Sequence, residues 1–310
     1  MHLRQTMNKP SQEHRHQPGH ARQDSTILKE SAAHEFERSP LRFLARPVRL
    51  AYEYFVFYFG YLYFGTGCAL FSLVGTVLHP LLPARFGAAR VGRWVTGRHF
   101  RGFLALLRAS GLVRIDLAAL DQLRGERSII IAPNHPSLLD AVFIISRLPQ
   151  TACIMKAGIW DSFFLGGGAR FSGYIRNDAP LNLVRLSTQE LRAGNQLLVF
   201  PEGTRTRTAP VNAFKGGFAL MAKKSGAAVQ TVFIETNSAF LCKGWPLLKK
   251  PHFPLFYRAR LGLRFTAESD VKSCVSKLEN YYREELSKAV QIESPAAPES
   301  RRPDTQRSVS

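Results

Sequence analysis

An α/β domain with a mixed, largely parallel sheet flanked by helices, preceded by an N-terminal membrane-associated helical segment, is the fold this sequence predicts. Three observations predict it. Between about Val113 and Leu263, apolar β-rich runs alternate with segments of helical periodicity, the pattern of an α/β layer. Ahead of that alternation, Tyr54 to Leu78 contains no charged residue. Both ends of the chain are polar and offer too little apolar surface to order themselves.

Taken in order, residues 1–37 ("MNKPSQEHRHQPGHARQDS" and its flanks) form an expected disordered tail, with no apolar core that would make a cleavable signal. Residues 38–112 form the expected membrane-associated segment. As one helix, Tyr54 to Leu78 would extend roughly 37 Å, enough to cross a hydrocarbon core of about 30 Å. Arg38, Arg42, Arg46 and Arg49 precede it, and Arg85, Arg90 and Arg93 follow it. A single crossing would leave one basic cluster on the wrong side. A break at Gly65-Thr66-Gly67 into a re-entrant pair would keep both clusters cytoplasmic. Val91 to Arg114 mixes Trp94, Phe103 and Leu107 with five arginines. That pattern suits a basic helix in the headgroup layer, with an amphipathic helix docked on a domain core as its near alternative.

The α/β domain is expected over residues 113–292. Its strand-like runs are "VRIDL", "SIIIAP", "TACIMK", "YIRN", "QLLVFP", "VQTVFIE" and "LFYRARLGL". Helix-like segments between them are "PSLLDAVFIISRL", "LNLVRLSTQELRAG" and "GGFALMAKKSG", and "VSKLENYYREELSKAV" closes the fold. Pro136 is expected at the first position of its helix, where a missing N–H costs nothing. Residues 293–310 read as a second disordered tail.

The chain has 310 residues and a formal net charge of +19, from 42 Lys and Arg against 23 Asp and Glu. Such an excess speaks of phosphates, anionic lipid headgroups or acidic partners rather than of fold. No nucleic-acid partner is expected, because the arginines are scattered among apolar segments without a recognisable binding motif. Cys68, Cys153, Cys242 and Cys274 lie far apart. Neither a disulfide framework nor a zinc site is therefore expected. "GTGCAL" and "GGGARF" both fail the dinucleotide-binding fingerprint at its third glycine. A serine hydrolase would need a Gly-x-Ser-x-Gly elbow, which is missing.

Two short stretches carry chemistry. "IAPNHPSLLD" places His135 at a strand-to-helix junction, the usual position for functional residues in an α/β sheet. Asp140, a little over one helical turn later, can fix the imidazole tautomer and stabilise its protonated form. "QLLVFPEGTRT" ends a buried strand in a turn presenting backbone N–H groups, the Thr204 hydroxyl and the Arg205 guanidinium, the elements of a phosphate site.

In this order, the two blocks "NHPSLLD" and "FPEGTRT" resemble the signature of the glycerolipid acyltransferase family, the bacterial 1-acyl-sn-glycerol-3-phosphate acyltransferases in particular. Lys156, Arg176 in "SGYIRND" and "FKGG" (Phe214 to Gly217) resemble intermediate blocks of that family, and the likeness covers roughly residues 50 to 265. The chain departs from it at "VQTVFIE", where the family usually carries a Val-Pro-Val-type strand. The resemblance implies transfer of an acyl group from acyl-CoA or acyl carrier protein to an acceptor hydroxyl, with no cofactor beyond that co-substrate and no metal. It implies His135 as general base and Asp140 as its orienting partner. Asn134 would support the junction or donate to the oxyanion, together with N–H groups at the helix start. Lys156, Arg176 and Arg205 would bind the acceptor's phosphate in the Gly203-Thr204 turn, and Glu202 would orient Arg205 or a glycerol hydroxyl. The basic helix would form the floor of the site.

Lysophosphatidic acid is the leading acceptor. Alternatives are a lyso-ornithine lipid, another lysophospholipid or an aryl polyene or pigment-type lipid, the last suggested by "CKGWPLLKKPHF". The expected partners are that acceptor, the acyl donor and an anionic membrane surface. The expected place is the bacterial inner membrane, with the catalytic domain on its cytoplasmic face. A non-catalytic basic membrane scaffold is the reading from a different class.

Overall fold

The computed structural model describes residues 45–81 and 87–291. The expected tails, and Arg38, Arg42 and Arg85, lie outside the described residues. Helix α1 (Arg46–Leu81) and helix α2 (Ala88–Ala109) precede the sheet. Then follow β1 (Val113–Asp116), a 3-10 turn (Ala118–Leu123), β2 (Ile129–Pro133), α3 (Asp140–Arg147), β3 (Ala152–Lys156), α4 (Ala157–Trp160) and α5 (Gly166–Phe171). The remainder is β4 (Ile175–Asn177), α6 (Pro180–Arg192), β5 (Leu197–Leu198), α7 (Gly217–Ser225), β6 (Ala228–Thr236), β7 (Leu255–Phe265) and α8 (Val271–Gln291). Every strand expected from the sequence forms.

The seven strands order as β1-β7-β6-β2-β5-β3-β4. All neighbours are parallel except β6 and β7, which pair antiparallel with a register shift between Gln230 and Val232. The sheet is thus mixed and largely parallel, as the alternation predicts. Its central strand β2 is buried at every position, because helices cover both faces. One apolar core, with Phe57, Phe103, Leu104 and Phe143, lies between the sheet and α1, α2 and α3. The other, with Val184, Phe218, Met221 and Leu278, lies under α6, α7 and α8.

Three expectations change. First, α1 runs unbroken through Gly65-Thr66-Gly67, so the re-entrant break is absent. Gly67 serves packing instead: a β-carbon there would overlap the His99 ring of α2. Second, α2 is docked on the body rather than free to lie among headgroups. Arg93 is buried and donates to the carbonyls of Ser172, Gly173 and Gln150 and to Glu190. Arg101 and Arg108 donate to the Ser146 and Ile115 carbonyls. Third, α3 starts at Asp140 and not at Pro136. Tertiary hydrogen bonds hold the intervening loop out of helix: Leu138 N donates to the Leu241 carbonyl at 3.1 Å, and Ser137 Oγ to the Phe240 carbonyl at 3.2 Å.

Helix α1 has two unlike faces. Glu53, Val56, Phe57, Gly60, Cys68, Ser72 and Gly75 form a buried stripe. Phe55, Phe59, Leu62, Leu70, Leu73 and Val77 form an exposed apolar one. Near one end, Lys250 Nζ meets Glu53 Oε2 at 2.6 Å. Toward the other, Gly167 N donates to Ser72 Oγ at 2.9 Å. The glycine run of α5 is explained here: a β-carbon on Gly167 would overlap the Ser72 carbonyl oxygen.

Candidate active site

Strands β2, β5, β3 and β6 run in the same direction, so their C-terminal ends share one edge of the sheet. That edge collects the loop after β2 with His135, the turn after β5 with Glu202 to Arg205, Lys156 at the end of β3, and the β6–β7 loop. Residues distant in sequence meet there for that topological reason.

His135 Nδ1 lies 2.8 Å from Asp140 Oδ2. Asp140 is fully buried, and the same oxygen accepts the Ser137 N–H at 2.8 Å. Burial pushes the Asp140 carboxyl up, while its hydrogen bond to His135 opposes that shift. The imidazole stacks on the Phe200 ring at 3.8 Å between centroids, and its side chain keeps 14% exposure. With Nδ1 committed, Nε2 is the ring nitrogen left for a substrate proton. The first expected pairing, His135 with Asp140, is therefore present, made by a tight loop rather than by a helical turn.

Glu202 is almost wholly buried. Its Oε1 accepts the backbone N–H of His135 at 2.9 Å and the Thr206 hydroxyl at 2.8 Å, and its Oε2 accepts the Asn212 N–H at 2.9 Å. Thr206 N completes the tie by donating to the His135 carbonyl at 2.8 Å. Glu202 is thus a brace between the two motif blocks, with no contact to Arg205 and no place on the cavity wall. Asn134 is similarly committed: Nδ2 donates to the Ile234 carbonyl at 3.0 Å, and Oδ1 accepts the Ile234 N–H at 2.7 Å. It clips β2 to β6. The oxyanion donor expected from Asn134 and the start of the helix is missing, because the N–H groups of His135, Ser137, Leu138 and Leu139 are all engaged.

A cavity of about 410 Å³ opens beside His135, walled by Lys156, Gly203, Thr204, Arg205 and Lys215 with apolar Leu138, Met155 and Phe200. Lys156 Nζ lies 3.4 Å from Thr204 Oγ1. Burial, and after it the charges of Lys243, Arg205, Arg207 and Lys215, hold the Lys156 ammonium below the usual lysine value. Among the described residues no carboxylate pairs with Lys156, Arg205 or Lys215, so the wall is poised for an anion. Gly203 adopts φ 67°, and a β-carbon there would come within 3.0 Å of Lys215 Cδ; the turn requires glycine. Arg205 is half committed, donating to the Leu241 and Cys242 carbonyls at 2.7 and 2.9 Å.

Arg176 is placed away from the cavity. Its guanidinium pairs with Asp161 at 2.7 Å and Asp178 at 2.6 Å and does not line the cavity. Nor does any residue of α2, so the expected basic floor is absent. Lys243, which the sequence marks only as part of the basic segment "CKGWPLLKK", lies in the β6–β7 loop, lines a neighbouring pocket with Arg207 and acts on Lys156 through its charge. Behind Leu138, which borders both, lies a second cavity of about 110 Å³ lined by Phe57, Phe64, Phe103, Phe240 and Tyr257.

A buried carboxylate orienting a histidine beside a cationic cavity is equipped to deprotonate a hydroxyl on an anionic substrate. Residues 114–235, the greater part of the α/β body, match the family model described as Acyltransferase. A chloroplastic 1-acyl-sn-glycerol-3-phosphate acyltransferase of Arabidopsis thaliana is 28% identical over 142 residues, 43% of this chain and 40% of that protein. Its Helicobacter pylori counterpart is 28% identical over 125 residues, 38% of this chain and 52% of that one. The matches thus span about half or less of those relatives' own lengths. The crystal structure of the 1-acyl-sn-glycerophosphate acyltransferase PlsC from Thermotoga maritima shares the fold, with a TM-score of 0.58 at 18% identity over 82% of this chain and 100% of that one. By these likenesses the chain is 1-acyl-sn-glycerol-3-phosphate acyltransferase-like.

Proposed function

We propose that the protein is an O-acyltransferase that moves a fatty acyl group from an acyl-CoA or acyl carrier protein thioester to the free hydroxyl of 1-acyl-sn-glycerol-3-phosphate, giving phosphatidic acid. The observation that carries this reading is the 2.8 Å contact between His135 Nδ1 and Asp140 Oδ2 at the mouth of a cavity with an unpaired cationic wall. His135 Nε2 takes the acceptor's hydroxyl proton as its oxygen attacks the thioester carbonyl. The tetrahedral intermediate collapses, the C–S bond breaks, and the thiolate takes the proton back from the imidazolium. Asp140 holds the imidazole and offsets its transient charge. Lys156, Lys215 and the free part of Arg205 hold the acceptor's phosphate, and the apolar cavity behind Leu138 takes an acyl chain.

Helix α1 is, among the described residues, the one helix long and apolar enough to cross a membrane by length and composition. Its buried stripe from Glu53 to Gly75 nevertheless packs against α2 and the α/β body for roughly 33 Å, longer than a hydrocarbon core of about 30 Å. Crossing would drag the body into lipid. In this reading α1 lies in the surface of a bacterial inner membrane, its exposed aromatics and leucines in the acyl layer and the catalytic edge on the cytoplasmic side.

The test is acyl transfer by detergent-solubilised protein, wild type against His135→Ala, with both donors and lysophosphatidic acid. General base catalysis is worth about 10² to 10⁴ in rate, and the variant should lose that much. Equal activity of the two proteins would sink the mechanism. Acylation of a different hydroxylated lipid would keep the chemistry and replace the acceptor.

A further inference from the structure

A second concave surface lies on the side of the sheet opposite α1. Helices α6 and α7 leave between them an open groove of about 750 Å³. Arg185, Arg192 and Lys224 line it, together with Leu181, Leu220 and Val271, and no carboxylate does. Leu181 is 88% exposed, far beyond what a leucine at the start of a helix needs. Thr188, on the same wall, carries a buried hydroxyl without a partner. Arg192 donates to the Lys224 carbonyl at 2.7 Å, which fixes the two helices side by side. Gly217, at the start of α7, borders both this groove and the catalytic cavity.

Cations flanking an exposed apolar strip on two parallel walls match an amphipathic helix with acidic edges. A free nucleotide would be held instead by a compact cradle of backbone N–H groups and one or two cations, whereas here the charges are spread along the helices. Helices α6 and α7 cover the core on the opposite face of the sheet from the one under α1 and α2, so a membrane seated against α1 leaves the groove facing solution.

We infer that the α6–α7 groove docks an acidic helix of an acyl carrier protein, whose thioester-bearing arm passes Gly217 into the cavity beside His135. This rests on the acyltransferase reading above and selects its donor: carrier-bound acyl groups arrive through the groove. Arg185 and Lys224 steer the acidic helix, and Leu181 supplies the apolar contact.

The experiment measures fluorescence anisotropy of a labelled bacterial holo-acyl carrier protein against the full chain in detergent, without turnover. Steady-state KM values for acyl-carrier and acyl-CoA donors are measured alongside. Wild type should bind the carrier, less tightly as salt rises. The double variant Arg185→Glu, Lys224→Glu should weaken binding and raise the carrier KM about tenfold or more, as expected for reversed charges facing an acidic partner, with the acyl-CoA KM unchanged. Leu181→Asp, at an exposed position that folding does not need, should do the same even if the double variant folds poorly. Carrier binding insensitive to these changes overturns the inference, and so does a parallel loss with acyl-CoA or no carrier binding by wild type. Absence of acyl transfer from every donor would refute the proposed function, while the binding arm would still decide the groove.

Discussion

Replacing Glu202 by Gln separates a brace from a substrate ligand. The carboxylate accepts three hydrogen bonds, from His135 N, Thr206 Oγ1 and Asn212 N, at 2.8 to 2.9 Å, with almost no solvent contact. Gln keeps the shape but brings one acceptor and one donor group. If its oxygen stays on His135 N and Thr206, its NH2 faces the Asn212 N–H, donor against donor. One buried donor then goes unsatisfied, at about 1–3 kcal/mol, and the other bonds lose their charge assistance. At roughly 2–4 °C per kcal/mol for a domain of this size, thermal unfolding of Glu202→Gln should move down by several degrees. Because the same oxygen holds the backbone of His135, kcat should fall at least about tenfold, in line with the sensitivity of catalysis to small misplacement. KM for lysophosphatidic acid should stay near the wild-type value. Differential scanning fluorimetry and initial rates over a range of acceptor concentrations read the three quantities. An unchanged melting temperature with a raised acceptor KM would refute this reasoning and return Glu202 to the substrate.

Three further outcomes are expected. Lys156 is held below the usual lysine value by burial and neighbouring cations; the protonated form binds phosphate, so acceptor KM should rise with pH from below the ordinary lysine range. Lys156→Arg, which stays charged, should remove that alkaline limb in a KM–pH profile. Arg176→Ala should change acceptor KM less than about threefold, since its guanidinium is taken by Asp161 and Asp178 and does not line the cavity; a tenfold rise would restore its expected phosphate role. Gly167→Ala places a β-carbon against the Ser72 carbonyl oxygen and should lower the melting temperature by several degrees, as overpacking of about 1–3 kcal/mol implies. An unaltered melt would show that α1 is not seated on α5 as described.

Much of this protein is written in local pattern. Alternating periodicities fix the strands and most helices, since burial on one face or both leaves its period in the chain. The two motif blocks lie together at one edge of the sheet, and His135 meets Asp140 as expected, though across a tight loop instead of a helical turn. What local pattern does not encode is which partner already occupies a polar group. Asn134 spends its amide on Ile234, Glu202 spends its oxygens on His135, Thr206 and Asn212, and Arg176 is neutralised by two aspartates. Lys243, from another segment entirely, lowers Lys156 by its charge from a neighbouring pocket. The sequence by itself determined the fold class and the His135–Asp140 pairing, because both rest on near neighbours in the chain. Tertiary structure decided which residues face substrate and which hold the frame. A buried donor or acceptor must be satisfied by whatever group the sheet order brings beside it, and that order joins strands far apart in the chain.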